Sequence, residues 1–137
     1  MSSVLLTNFD GLSVAIVDDD PRVRLVLEAA LRDLNVTCFI FDNTFDLLRS
    51  LEQTSPSCIF LDFILPQMTG LECVRSLRDQ GYSKPVFMFS ALYDPQLREQ
   101  SLDAGADDFF LKSDFLRNLP SVLTRVRMCI DACEDVH

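Results

Sequence analysis

Five short, nearly continuous apolar runs, each followed by a stretch long enough for a helix, constrain this chain more than any other feature. They lie at 12–17 (LSVAIV), 36–41 (VTCFIF), 57–61 (SCIFL), 85–89 (PVFMF) and 107–111 (DDFFL). A strand with one wet face alternates polar and apolar residues, whereas a strand covered on both faces reads as an unbroken apolar run. The five runs therefore predict a parallel sheet covered by helices on both sides. Asp20-Pro21 supplies an N-cap and a first-turn proline, after which Val23, Val26, Leu27, Ala30, Leu31 and Leu34 recur at helical spacing. Residues 43–52 place Phe45, Leu48 and Leu51 on one face, and 70–80 place Leu71, Val74 and Leu77, with Gly81 positioned to end the helix. Asp94-Pro95 opens a fourth helix, weakly apolar at Leu97 and Leu102, that Gly105 can close. A fifth is expected from about Ser113 to about Cys129, turning Leu116, Leu119, Leu123, Val126 and Ile130 inward.

A strand and a helix repeated five times, joined by right-handed crossovers, give an α/β doubly wound sheet of five parallel strands with five helices. The flavodoxin-like strand order 2-1-3-4-5 is the natural choice. The 137 residues make one domain's worth of chain, and 48% hydrophobic composition suffices for a core. That domain is expected over 12–130, with an N-terminal arm at 1–11 and a frayed C-terminal tail at 131–137. A net charge of -9 argues against direct nucleic-acid binding, which rests on Lys and Arg neutralising phosphates. Cys38, Cys58, Cys73, Cys129 and Cys133 form no CxxC pair, and the lone histidine is His137. Zinc needs closer ligands, and an odd cysteine count fits poorly with a closed disulfide set. No basic region precedes the first apolar residues, and no stretch nears the roughly 20 apolar residues that cross a bilayer. A soluble, cytoplasmic protein with reduced thiols and no membrane partner is expected.

In open α/β sheets the site lies where loops leave the carboxyl ends of the strands. The first strand ends in Asp18-Asp19-Asp20, the third in Asp62, the fourth in Ser90 and the fifth in Lys112, while the second offers only Asp42. The expected order brings the tips of strands one, three, four and five together. Taken singly, each residue has a plain explanation: Asp20 caps a helix, Asp62 is a loop carboxylate, Ser90 a turn residue and Lys112 a surface charge. One helix start needs one cap, however, which leaves Asp18 and Asp19 over. Carboxylates gathered without compensation repel one another. A hard divalent cation resolves the conflict, because Mg²⁺ takes oxygen ligands, accepts one or two carboxylates and shares its shell with a phosphoryl group. A carboxylate beside it can then act as nucleophile toward phosphorus. The transfer demands positioning and neutralisation of the phosphoryl oxygens, which a lysine, a hydroxyl and backbone N–H groups also supply.

Val14-Ala15-Ile16-Val17-Asp18-Asp19-Asp20-Pro21, Leu61-Asp62-Phe63-Ile64-Leu65-Pro66-Gln67-Met68-Thr69-Gly70, Phe89-Ser90-Ala91 and Ala104-Gly105-Ala106-Asp107-Asp108-Phe109-Phe110-Leu111-Lys112, in that order and spacing, closely resemble the receiver domains of two-component response regulators. The resemblance runs from about residue 12 to about residue 130. It implies that Asp62 is the phosphoacceptor and that Asp18 and Asp19 organise Mg²⁺ together with Asp62 and the main-chain carbonyl of Ile64. By the same resemblance Ser90 bonds a phosphoryl oxygen and moves inward on phosphorylation, Lys112 pairs with another, and Phe109 is the aromatic switch. A plain core role for Phe109 stands beside this, since Phe110 could equally point inward. The family usually has Lys-Pro with a cis bond where this chain has Lys112-Ser113; a non-proline cis bond costs about 2.5–4 kcal/mol, so a trans bond or a strained loop is expected. Leu65 for the family's common Met is a like-size change.

The resemblance further implies a phosphoryl donor that is a histidine kinase or histidine phosphotransfer protein. Output would pass to a downstream protein target through the face of the fourth helix, fifth strand and fifth helix, a face also used for homodimers. Such a domain assists its own phosphorylation and dephosphorylation but is not a turnover enzyme. A chain ending soon after the fifth helix leaves output to a partner, unless it is a piece of a longer regulator. Ile64 and Leu92 occupy positions that modulate the approach of water, and both are apolar, so slow hydrolysis of the acyl phosphate is expected. Exposed Arg98, Arg117, Arg125 and Arg127 are candidates for partner contact, although charged helix faces are usually only solvated.

Two rival classes are weighed against this. A receiver-like protein-binding module acting without phosphorylation would not need every ionic position filled. A haloacid-dehalogenase-like phosphatase would want an acid two residues after its nucleophile, where Ile64 stands. A flavodoxin would cradle a phosphate where this chain puts three carboxylates, and neither GxxxxGK[ST] nor GxGxxG is present.

Overall fold

The computed structural model describes residues 9–135. The elements alternate as expected: β1 (Ser13–Val17), α1 (Pro21–Asp33), β2 (Thr37–Phe41), α2 (Thr44–Thr54), β3 (Cys58–Asp62), α3 (Gly70–Asp79), β4 (Val86–Ser90), α4 (Pro95–Ala104), β5 (Asp108–Leu111) and α5 (Lys112–Asp135). All strand pairs are parallel, in the order β2-β1-β3-β4-β5. Each apolar run is a strand because successive side chains feed opposite covered faces. Val14, Ile16, Phe60, Phe87 and Phe89 pack beneath α1 and α5 with Leu27, Leu31, Phe115, Leu119 and Leu123. Ala15, Val17, Ile59, Leu61 and Met88 fill the other face with Leu47, Cys73, Val74 and Leu77.

The high phenylalanine content builds the first of these layers. Phe115 meets Phe60 edge-on at 4.7 Å and stacks on Phe89 at 5.2 Å, so the first turns of α5 are anchored on the middle of the sheet. Offset and edge-on contacts of this kind add about 0.5–1.5 kcal/mol per pair beyond area burial. Phe110 packs against the same layer while Phe109 is buried in the other, so both neighbours point inward, on opposite faces.

Local chemistry sets the helix starts. Asp20 caps α1 through Arg22 N–H, Asn43 caps α2 through Asp46 N–H, and Asp94 caps α4 through Gln96 N–H. Thr69 and Glu72 bond each other's backbone in a capping box at α3. Gly105 ends α4 with φ of 117°, a left-handed conformation that favours glycine.

Several expectations need correction. The fifth helix begins at Lys112 itself and continues to Asp135, past the end expected near Cys129, and it carries Pro120 in its interior. No peptide bond among the described residues is cis, so Lys112-Ser113 is trans, which is one of the two geometries expected for it and needs no correction. Phe9, assigned to the arm, is buried in the core, and Leu12 N–H donates to its carbonyl at 3.1 Å. Residues 1–8 of that arm, and Val136 and His137 of the tail, lie outside the described residues. Val26, Phe45, Leu102 and Leu116, expected inward, are exposed. They stand at the margins of their helical stripes, where periodicity alone cannot say which side the neighbour covers. No helix among the described residues is long and apolar enough to cross a membrane.

Candidate functional site: an acidic cluster at the strand tips

The strand order places the carboxyl ends of β1, β3, β4 and β5 side by side. Register brings Asp62 level with Phe89, and Ser90 level with Leu111, the residue before Lys112. Asp18, Asp19 and Asp62 each offer one carboxylate oxygen within 4.8 Å of the others'. Asp18 is fully buried: its Oδ1 accepts the Asp20 N–H at 2.8 Å, and its own N–H donates to the Phe41 carbonyl at 3.2 Å. Asp19 is exposed at the mouth. Asp20 stays outside the cluster as a helix cap and pairs with Arg22 at 3.1 Å.

Lys112 Nζ closes the cluster, 2.8 Å from Asp18 Oδ2 and 3.1 Å from Asp62 Oδ2. Asp18 Oδ2 is buried and accepts no aligned hydrogen bond, so its contact with Lys112 is ionic only. The ammonium also lies over the Phe89 ring at 5.4 Å. Burial disfavours its charge, but the Asp18 and Asp62 carboxylates outweigh that and raise its pKa. The Asp62 carboxyl is pushed up to about 6, first by burial and then by the Asp18 charge, against the pull of Lys112 and the Ile64 N–H. One cation thus faces three carboxylates, one of which carries a lone pair with no hydrogen-bond donor. That oxygen-only donor set, converging and under-neutralised, fits a hard divalent cation such as Mg²⁺.

Ser90 is buried at the tip of β4, its Oγ accepting the Leu92 N–H at 3.2 Å. Phe109 is buried with its ring 6.1 Å from Phe63, edge-on, and 6.4 Å from Tyr93. Ile64 N–H donates to Asp62 Oδ1 at 3.3 Å, while the Ile64 and Leu92 side chains are 65% and 68% exposed at the rim. Asp18, Asp19, Asp62, Ser90 and Lys112 therefore stand at the strand tips with Ile64 just beyond, whereas Phe109 lies within β5, level with Met88 of β4. Three neighbours escaped the sequence reading: Phe63 and Tyr93, which flank Phe109, and Arg24, whose guanidinium donates to the Asp18 carbonyl at 2.6 Å. Phe63 directly follows Asp62 and reaches Phe109 across the tip of β4, a contact between non-neighbouring strands that no sequence spacing signals. Beside the cluster, Val23, Val26 and Leu27 of α1 face Phe115 and Leu116 of α5 across an open cleft of about 340 Å³ that reaches Phe89 and Lys112.

The arginines considered for partner contact are engaged within the chain. Arg98 and Arg125 both pair with Asp108, Arg117 pairs with Asp114, and Arg127 pairs with Asp131. Burial works against ionisation of Asp108, yet Arg125, the Phe109 N–H and Arg98 hold its carboxyl below the ordinary range.

Comparison with known proteins converges on one family. Residues 14–124 match the family model described as the response regulator receiver domain. The response regulator MprA of Mycobacterium ulcerans is 29% identical over 91% of this chain and 56% of its own length. The response regulator RppA of Synechocystis is 32% identical over 85% of the chain and 49% of its own length, so the chain spans about half of these curated relatives. Among solved structures, the chemotaxis protein CheY4 of Vibrio cholerae superimposes with a TM-score of 0.78 at 25% identity, covering 84% of this chain and 98% of that one. With its 2-1-3-4-5 sheet and acidic strand tips, the chain belongs to the response regulator receiver domain family, the signalling domains of two-component systems.

Proposed function

We propose that this chain accepts a phosphoryl group from a phosphohistidine onto Asp62, and that the acyl phosphate repositions Ser90 and Phe109 to change a protein-binding face. The observation that carries this reading is the convergence of Asp18, Asp19 and Asp62 within 4.8 Å, with Lys112 bridging two of them. Receiver domains interact with histidine kinases and with downstream effectors. The donor is accordingly a histidine kinase or histidine phosphotransfer protein, and the setting is the cytoplasm.

An Asp62 oxygen attacks phosphorus; the O–P bond forms as the N–P bond breaks, and its electron pair leaves with the imidazole nitrogen. Asp18, Asp19, Asp62 and the Ile64 carbonyl would hold Mg²⁺, which when bound would supply neutralising charge beside the phosphoryl oxygens. Lys112 pairs with one of those oxygens, and Ser90 Oγ–H, released from its turn at Leu92, donates to another. Movement of Ser90 changes the space beside Phe109, whose ring lies between Phe63 and Tyr93. Phe109 is adjacent to Asp108, which ties α4 to α5 through Arg98 and Arg125, so the α4-β5-α5 face reads out the change. The domain promotes its own phosphorylation and hydrolysis without turning over a separate substrate. Apolar Ile64 and Leu92 at the rim disfavour an ordered attacking water, so the acyl phosphate is long-lived. Replacing both with polar residues shortens the lifetime in a phosphate-release time course; an unchanged lifetime contradicts this part of the reading.

Incubation with acetyl phosphate followed by intact mass tests the whole. One phosphoryl group is gained with Mg²⁺, none in its absence, and none in Asp62→Ala. No gain in the wild type with Mg²⁺ favours a protein-binding module that acts without phosphorylation.

A further inference from the structure

Arg24 stands in the second turn of α1, where helical side chains lean back toward the N-terminus and over the preceding loop. Its Nη1 donates to the main-chain carbonyl of Asp18 at 2.6 Å, and the side chain is half-buried. It makes no ion pair among the described residues, although three carboxylates lie in that loop. A guanidinium spent on a neutral carbonyl amid anions calls for a reason.

The reason lies in the peptide it holds. The Asp18 carbonyl belongs to the rigid plane that joins Asp18 to Asp19, so fixing that oxygen fixes the direction in which the Asp19 Cα leaves the strand. Asp18 has other restraints: its N–H on the Phe41 carbonyl and its Oδ1 on the Asp20 N–H. Asp19 has none of its own, since its exposed carboxylate accepts no hydrogen bond and forms no ion pair among the described residues. Its placement in the cluster rests on its backbone alone. We infer that Arg24 is a positioning residue that orients the Asp18–Asp19 peptide, so that the Asp19 carboxylate converges with Asp18 and Asp62 on a divalent cation. The inference rests on the reading of this cluster as a Mg²⁺ site.

Charge and position predict opposite results, which makes the idea testable. Removing a nearby positive charge tightens cation binding if Arg24 acts only through the field; it weakens binding if Arg24 acts by orienting a ligand. Loss of a group that orients a metal ligand typically costs about 10–100-fold in metal affinity. Titration of the purified chain with Mg²⁺ alone, followed calorimetrically and with no phosphodonor present, is the measurement. Arg24→Gln weakens binding about tenfold or more, Arg24→Lys recovers part of the loss through its single donor, and in an Asp19→Asn background Arg24→Gln has little further effect. Equal or tighter binding in Arg24→Gln overturns the inference, as does an undiminished Arg24 effect in the Asp19→Asn background. Thermal unfolding of each variant without Mg²⁺ identifies the folded ones, and an Arg24→Gln that does not fold leaves the Lys variant to decide: affinity equal to or above the wild type overturns the inference, and an intermediate loss supports it. Failure of the wild type itself to bind Mg²⁺ at millimolar concentration defeats the metal-site reading instead.

Discussion

Lys112 Nζ lies 3.1 Å from the Asp62 carboxylate, across fifty residues of sequence, and this contact supplies the acidic cluster with its counter-ion in the absence of metal. Taking the cation away leaves buried Asp18 and Asp62 facing each other. Breaking a buried pair by removing one partner costs about 3–5 kcal/mol, and Lys112 is only partly buried, so Lys112→Met should lose about 2–3 kcal/mol of metal-free stability. Mg²⁺ then raises the melting temperature more in Lys112→Met than in the wild type, because the ion no longer competes with an ammonium. Thermal unfolding with and without Mg²⁺ checks both directions.

The raised carboxyl of Asp62 fixes the sign of a pH effect. Its folded pKa of about 6 lies above the ordinary value of 3.8, so between the two the folded state holds more proton than the unfolded one. Stability from this group is therefore full below the unfolded pKa and is lost as pH rises through about 6. Asp62→Asn, which cannot ionise, should be more stable than the metal-free wild type by about 1–2 kcal/mol at neutral pH. That advantage shrinks toward zero as pH falls to the ordinary carboxylate range. Urea unfolding at a series of pH values measures it.

Gly70 is where α3 presses on the end of β3. A Cβ there would lie 2.5 Å from the Asp62 carbonyl oxygen and 2.6 Å from Met88 Cε. Met88 can yield, but the backbone of β3 cannot move without carrying Asp62. Gly70→Ala should cost about 1–3 kcal/mol, the usual range for overpacking, and weaken Mg²⁺ binding as well. Denaturant unfolding and a metal titration read the two effects.

Arg78 provides the contrasting case at the opposite pole of the sheet. Its guanidinium donates to the carbonyls of Gly105, Tyr82 and Lys84 and to Asp107 Oδ2, which also accepts the Val86 N–H. One side chain thus ties the end of α3 to the loops entering β4 and β5. Arg78→Ala strands several acceptors at once and should lose about 2–3 kcal/mol. Mg²⁺ affinity at 25 °C should be unchanged, since the cluster lies at the other end of the strands.

The strands were legible because burial on both faces leaves no polar alternation to obscure them, and Asp62, Ser90 and Lys112 were legible because they close apolar runs. The helix margins were not. Val26 and Leu116 fit the apolar period yet line an open cleft, and α5 runs through Pro120 to Asp135 where no terminating glycine follows Cys129. The burial of Phe9 was equally hidden, since one aromatic before the first strand carries no period to read. Arg24 escaped because its role depends on a rotamer reaching back across a loop, and Tyr93 because its ring meets Phe109 from a loop whose path the sequence does not set.

The central claim is that Asp62, and neither of its acidic neighbours, receives phosphorus. Borohydride reduces an aspartyl phosphate to homoserine, which marks the residue permanently. Peptide mapping of protein treated with Mg²⁺ and acetyl phosphate and then reduced should find homoserine at position 62 alone. Homoserine at 18 or 19 instead, or at no position, would contradict the account.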